Sequence, residues 1–297
     1  RLHDVEDNSI VLTMNTWTTC SGRTEPPTAS SSQKAWDDSC CKVIADELLN
    51  NATNEIERAR LLASRADGSG DWLDALPLQA IGLKLDNESI RIAAGLRLGA
   101  NLVLPHKCVC DAVVTADGLH GLSCRKSGGR HSRHNQINEI IQRAFSSADI
   151  LSTREPLGLC FGTAKRPDGI TSIPWKKGRC LAWDTTCPDT FAQSHLPATS
   201  LLAGAAASTA EAKKIIKYTD LPSHIDFIPV AIETTGVWGQ AGLELVKELG
   251  HRISTIQMDP RSTQFLRQRI ALAVQRGNAF CIQATHPRVS DINNLLD

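Results

Sequence analysis

The stretch RPDGITSIPWKKGRCLAWDTT, Arg166–Thr186, reads as two strands joined by a basic turn. Pro167 pushes Arg166 into extended backbone, Gly169 lets the first strand bend, and PWKKG turns the chain. RCLAWDTTC is an apolar strand that carries Asp184. Asp168 and Asp184 lie sixteen positions apart, so on paired antiparallel strands they can meet at one end. Two such carboxylates could hold Mg²⁺, which takes a few carboxylates and fills its shell with water and phosphate oxygens. The bland alternative is an Asp that opens a turn before Gly169 and an Asp that ends a strand.

Outward from this hairpin the pattern stays regular. Upstream, HNQINEIIQRAFSSADI puts apolar side chains at 137, 140, 141, 144 and 145, one helical face with Glu139 just off it. LSTREPLGLC, which follows, reads as extended. Downstream, SLLAGAAASTAEAKKIIKYTDL is an Ala-rich helix and FIPVAIETTGVWG a further apolar strand. This α-β-β-α-β order predicts an α/β (α+β) domain, a mixed sheet with helices on both sides. Phosphodiester cleavage there would need a lysine near the developing charge. Lys213, Lys214 and Lys217 are the candidates; Lys214 and Lys217 share a helix face. A lysine at a helix C-terminus is also favourable without any catalysis. Asp189, Glu211 and Glu233 are further acids with weaker claims.

Before the helix comes PHKCVCDAVVTADGLHGLSCRKSGGRHSRHN. Cys108 and Cys110 form one close pair, His120 and Cys124 a second, and a short loop joins them. That is how a chain wraps one tetrahedral ion, each pair fixing two vertices. Three thiolates and one imidazole suit a structural Zn²⁺. Gly118 and Gly121 would let the backbone turn around His120, while His106, His131 and His134 are rivals for the imidazole vertex. The ten cysteines are scattered and no secretory signal precedes them, so reduced thiols are expected rather than a disulfide framework.

The remaining sequence supplies helices and tails. Residues 1–32 are polar and rich in Ser and Thr, and poor order is expected there. SQKAWDDSCCKVIADELLNN reads as a helix with Trp36, Cys40, Val43, Ile44 and Leu48 on one face; its Asp37-Asp38 pair sits in a helical pattern, unlike the paired aspartates of a polymerase hairpin. TNEIERARLLASR and DNESIRIAAGLRLG are two further helices, the latter capped by Asp86 or Asn87 and ending near Gly99. STQFLRQRIALAVQRGNA reads as a basic amphipathic helix whose arginines face water or phosphate. The domain boundaries expected are a segment 1–32, a helical linker region 33–104, a zinc knuckle 105–134, a sheet domain 135–287 and a tail 288–297.

Net charge is zero over 297 residues, which selects no partner class. Its distribution is uneven: residues 125–179 hold eleven Lys or Arg against four acids. A basic stretch of this kind could face nucleic acid or simply water. The longest apolar runs fall far short of the roughly 18 residues of a membrane span. The start at Arg1 rather than Met suggests a piece of a longer polypeptide.

Taken together, the knuckle ligands Cys108, Cys110, His120 and Cys124, then KRPDG, LAWDTTCPDT, KIIKY and FIPVAIETTG, follow one another in a particular order. This layout resembles the C-terminal part of non-LTR retrotransposon polyproteins of the restriction-like endonuclease class, best known from elements that insert into ribosomal RNA genes. QKAWDDSC, SGDWLDALP and IRIAAGLRLG resemble the region between polymerase and knuckle in such elements, so the likeness spans about residues 33–287. The Cys-Val-Cys gap is tighter than in some relatives. The resemblance implies a PD-(D/E)xK-like fold that nicks target DNA in the nucleus, with Mg²⁺ as catalytic ion, so that the 3′-hydroxyl primes reverse transcription. It makes Asp168 the first acid and Asp184 the second. The lysine usually found two residues after the second acid is replaced by Thr186, and is supplied from KIIKY, Lys217 first and Lys214 second. Tyr218 matches the family's tyrosine. Target DNA and element RNA are the implied partners, with a polymerase on the same longer polypeptide. The competing expectations are an inactive zinc-containing nucleic-acid-binding module from a decayed element, and a plain zinc-stabilised domain with protein partners.

Overall fold

The structure, a computed structural model, describes residues 2–25, 27, 33–160 and 165–286. The tail expected at 288–297 lies outside them. The chain divides into two compact units, Arg1–Asn54 and Glu55–Asp297. The division thus falls at 54/55, inside the segment read as a linker. The helices after it, the knuckle and the sheet belong to one unit.

The first unit is a pair of helices, α1 (Leu2–Ser21) and α2 (Gln33–Asn50). Helix α1 corrects the expectation of poor order: its sequence has neither Gly nor Pro before Gly22, so nothing breaks the backbone ladder. Its threonines add bonds to the preceding turn, as from Thr16 to the Leu12 carbonyl at 2.9 Å. Trp17 is buried and meets Trp36 edge-on, ring centres 6.1 Å apart. Of the face read for α2, Trp36, Cys40 and Val43 are half-buried, whereas Ile44 and Leu48 stay exposed.

In the second unit α3 (Glu55–Arg65) and α4 (Asn87–Leu98) come first. Asp86 caps α4, accepting the Ser89 N–H at 2.9 Å, and Gly99 ends it in the left-handed region at φ 74°. Strands β1 (His106–Lys107) and β2 (Val113–Val114) form a small antiparallel ribbon, followed by the single turn α5 (His120–Ser123). Then come α6 (Gly129–Ser147), β3 (Ser152–Arg154), β4 (Gly169–Thr171), β5 (Cys180–Thr186), the short α7 (Leu196–Thr199), α8 (Ala205–Lys217), β6 (Ile225–Ala231), α9 (Gln240–Gln257) and α10 (Ser262–Gln283).

The four-stranded sheet is mixed, in the order β3-β4-β5-β6, antiparallel except for the parallel β5–β6 pair. Alternation along β5 decides what faces where. Leu181 and Trp183, with Val230 of β6 and Ile232 just after it, join the core built from Ile137, Ile141 and Phe145 of α6, Leu245 and Leu249 of α9, and Ile270 and Val274 of α10. The opposite face, with Asp184 and Phe227, meets the end of α8. Helices therefore cover both faces, and the fold is a mixed α/β one.

Two glycines act through space rather than through bending. A Cβ on Gly169 would lie 2.1 Å from Trp183 Cζ2, so the indole needs the bare backbone. A Cβ on Gly121 would lie 2.8 Å from Ile282 Cα, so the knuckle turn packs directly on α10. Helix α10 itself differs from the amphipathic surface helix expected. Fourteen of its residues are buried, including Gln268, Gln275 and Asn278. Two of its arginines meet protein groups: Arg267 pairs with Asp71 at 2.8 Å and Asp67 at 3.1 Å, and Arg276 donates to the Gly82 and Lys84 carbonyls, while Arg269 is exposed. The glutamines and Asn278 that look like a polar face bond to protein groups instead.

Candidate functional site

The knuckle ligands converge. Sγ of Cys108, Cys110 and Cys124 and a ring nitrogen of His120 all lie within 4.8 Å of one another. The Cys108–Cys124 sulfur separation is 3.7 Å, and Cys110 Sγ is 3.2 Å from His120 Nε2. A tetrahedral zinc with Zn–S of about 2.3 Å has S···S edges of roughly 3.8 Å, so this donor set fits one zinc ion. The local sequence makes the fit. Between the two strands Asp111 takes φ 72°, and the Cys108 N–H bonds to the Ala112 carbonyl at 2.9 Å, which folds Cys-Val-Cys into a tight loop. Burial raises the Cys108 thiol to about 11, so without an ion its thiolate is disfavoured; the Ala112 N–H lowers Cys110. Of the rival imidazoles, His106 bonds instead to Leu104 O and Thr285 Oγ1, and His134 lies on the sheet side against Asp168.

The two acids of the hairpin sit on neighbouring strands with separate partners. Gly169 pairs with Trp183, and the Asp168 N–H donates to the Trp183 carbonyl at 2.9 Å, which places Asp168 beside Asp184 at the strand end. The Asp168 side chain turns to α6: its Oδ2 accepts from Thr185 N at 2.6 Å, His134 Nε2 at 2.9 Å and Asn138 Nδ2 at 3.0 Å. Burial pushes this carboxyl up, but the His134 bond and charge, with Thr185 and Asn138, outweigh it and hold Asp168 below the usual carboxylate range. The same bond to Asp168 raises His134.

Asp184, 2 % exposed, faces α8. Lys214 Nζ and the Tyr218 hydroxyl contact its two oxygens, and Lys217 Nζ lies 3.4 Å from Oδ2. Lys217 also donates to the Tyr218 oxygen at 2.8 Å. The Tyr218 hydroxyl is 2.7 Å from the Arg166 carbonyl, so it links the Asp184 side chain to the Arg-Pro-Asp segment. Burial and the neighbouring Asp184 carboxylate raise the phenol far above its ordinary value. The structure thus gathers Asp184, Lys214, Lys217 and Tyr218 at one point, with Asp168 next to it on the adjoining strand. Lys213 does not join: it lies exposed one position before Lys214.

The three weaker acids have other positions. Glu233 Oε1 accepts the N–H groups of Ala206 and Ala207 at 3.0 and 3.1 Å, and its Oε2 accepts Thr190 Oγ1 at 2.9 Å. It therefore anchors the first turn of α8, the helix that delivers Lys214, Lys217 and Tyr218. Glu211 does the same for α9 through Ala241 and Gly242. Asp189 holds Phe191 N and Thr234 Oγ1. Glu139 pairs with Arg143 on the outside of α6. Sequence reasoning passed over Asn138, which is wholly buried between Ile137 and Glu139. Its signal was an amide one turn after His134 on a helix whose inner face is otherwise apolar.

Compared with known proteins, the chain matches no family model, and no curated protein matches it.

Proposed function

We propose that this chain is the Mg²⁺-dependent DNA-nicking endonuclease part of a non-LTR retrotransposon polyprotein, a PD-(D/E)xK-like domain stabilised by a zinc knuckle. One observation carries the reading: Asp184, Lys214, Lys217 and Tyr218 meet although β5 and α8 are separated by a loop and a short helix, and Asp168 stands across from Asp184 along the backbone of the neighbouring segment. Asp168 and Asp184 would hold the metal. Among the described residues, every side-chain hydrogen bond to Asp168 ends on Oδ2, which leaves Oδ1 to offer. The ion, when bound, polarises the scissile phosphate and acidifies its water. Lys217, the more exposed of the two lysines, offsets charge that develops on the phosphate. Lys214 keeps its ammonium on Asp184, and Tyr218 holds the Arg166–Asp168 segment against α8. Target DNA is the partner and the nucleus the place of action; a polymerase on the same polypeptide would extend the nicked 3′-end.

A second reading rests on the same cluster. Asp184 already has two ammonium groups and a phenol on its oxygens, which is also how a purely structural buried acid is held. Under it the chain is an inactive zinc-containing module that binds nucleic acid. Supercoiled plasmid with Mg²⁺ separates the two. The zinc-loaded parent is expected to nick it, and Asp184→Ala to lose at least about 100-fold in rate. A folded, zinc-loaded parent that never nicks sinks the endonuclease reading.

A further inference from the structure

Asn138 is a side chain that hydrophobic packing alone would have made leucine. It sits at 0 % exposure on α6, between the core positions Ile137 and Ile141. A buried amide is tolerated only when its hydrogen-bonding groups are met. Here they are. Oδ1 accepts from Trp183 Nε1 at 3.1 Å and from Thr185 Oγ1 at 2.8 Å. Nδ2 donates to Asp168 Oδ2 at 3.0 Å and lies 3.3 Å from both the ring Nε2 and the carbonyl of His134. The indole N–H can only donate, so the amide oxygen must face Trp183 and the amide nitrogen must face Asp168. The orientation is therefore dictated by chemistry.

Asn138 touches both acids' surroundings at once. Trp183 and Thr185 are the two neighbours of Asp184 in the chain. Tying both to α6 turns Asp184 to the opposite face of β5, where α8 waits. On the other strand, Asn138 and His134 grip the same oxygen of Asp168 that takes the Thr185 N–H. Three donors on Oδ2 fix the carboxylate's rotation and leave Oδ1 as its other face.

We infer that Asn138 is a positioning residue for the two-carboxylate site, with His134 as its partner on Asp168. The inference rests on the metal-site reading of Asp168 and Asp184. Groups behind a metal-binding carboxylate commonly change metal affinity by about 10–100-fold when removed.

The test uses the whole zinc-loaded chain and Mn²⁺ as probe, with free Mn²⁺ followed by electron paramagnetic resonance and no DNA present. The parent is expected to bind one Mn²⁺ that Asp168→Ala abolishes. Asn138→Leu, of similar volume, is expected to weaken it about tenfold. His134→Phe removes one Asp168 donor and leaves Trp183 and Thr185 alone. It is expected to weaken Mn²⁺ severalfold while the chain stays folded, and so serves if Asn138→Leu does not fold. Asn138→Gln, if it restores the amide reach, should recover part of the loss. Parent-like Mn²⁺ affinity in folded Asn138→Leu, or in His134→Phe where Asn138→Leu does not fold, overturns the positioning role while leaving the metal site standing. A parent that binds no Mn²⁺ in an Asp168-dependent way overturns both.

Discussion

The zinc cluster and the Asp184 cluster are built on opposite principles. The four knuckle ligands fall within seventeen consecutive residues, and a two-residue ribbon with one helical turn brings them together. Closing so short a loop costs little entropy, and an ion held there would supply the cohesion. The Asp184 cluster draws one residue from β5 and three from the far end of α8, thirty and more positions later. Nothing local holds it. Its geometry depends on where α8 starts, and that start is pinned by Glu233, a residue from after β6. A site closed by its own ligand tolerates poor surroundings, whereas a site assembled from distant elements inherits every error in their packing.

Breaking the knuckle should have the largest effect. The purified chain is expected to carry about one zinc. Cys108→Ser should lose it and lower stability by several kcal/mol, because the buried Cys124 thiol and the new hydroxyl at the buried position 108 are left without an ion. Elemental analysis with thermal melting measures both, and a clean parent preparation without zinc contradicts the cage. Because Gly121 lies bare against α10, the damage should spread from the knuckle to the buried end of that helix, readable as lost amide protection around Cys281 and Ile282.

This same contrast governs what was legible in the sequence. Local order was plain: the α6 face at 137, 141, 144 and 145, the Asp86 cap, the Gly99 stop and the four knuckle ligands all lie within a few turns of one another, where periodicity and spacing speak directly. The run of strands and helices from α6 to β6 was equally readable. Lys213, Lys214 and Lys217 were candidates from their own helix, but choosing Lys217 and Lys214 and adding Tyr218 took the family likeness, since spacing says nothing about where a helix end lands on a sheet. Asn138 was missed because a lone amide on an apolar face carries no pattern. The burial of α10 was missed because Arg267, Gln268 and Arg276 look like a wet face until Asp67, Asp71 and the Asp74 and Gly82 carbonyls are seen to meet them. Those partners lie nearly two hundred residues away.

Glu233→Ala sharpens the comparison at the distant end. It strips two helix N–H groups and the Thr190 hydroxyl of their acceptor inside the protein, which should cost about 2–3 kcal/mol. It should also let the start of α8 drift, so the Lys214 and Tyr218 contacts with Asp184 loosen while zinc content stays at the parent value. Denaturant unfolding gives the first quantity and metal analysis the second. Zinc loss in this variant would mean that the two sites are not built independently.

Glu233→Gln probes the same anchor with the smallest expected change, because the amide keeps an oxygen for Ala206 and Ala207 while losing the charge. Burial raises the Glu233 carboxyl above its ordinary value, against the pull of Thr190 and the two N–H groups. A raised folded value means that the folded chain binds this proton more tightly than the unfolded one. Between the unfolded value of about 4.3 and the raised folded value, the folded state therefore holds more protons, and stability falls as pH rises through that window. The Gln variant has no such titration. Subtracting its stability from the parent's should leave a difference that declines with rising pH across the window and is flat above it. Asp189 and Glu211, also raised by burial, slope the same way in both proteins and cancel in the subtraction. Asp168, held low by His134, acts in the opposite sense in acid and cancels too. A flat difference throughout would mean that Glu233 is no more costly to ionise in the fold than in water, and that the α8 anchor works as a charge on the helix terminus rather than as a buried hydrogen-bond acceptor.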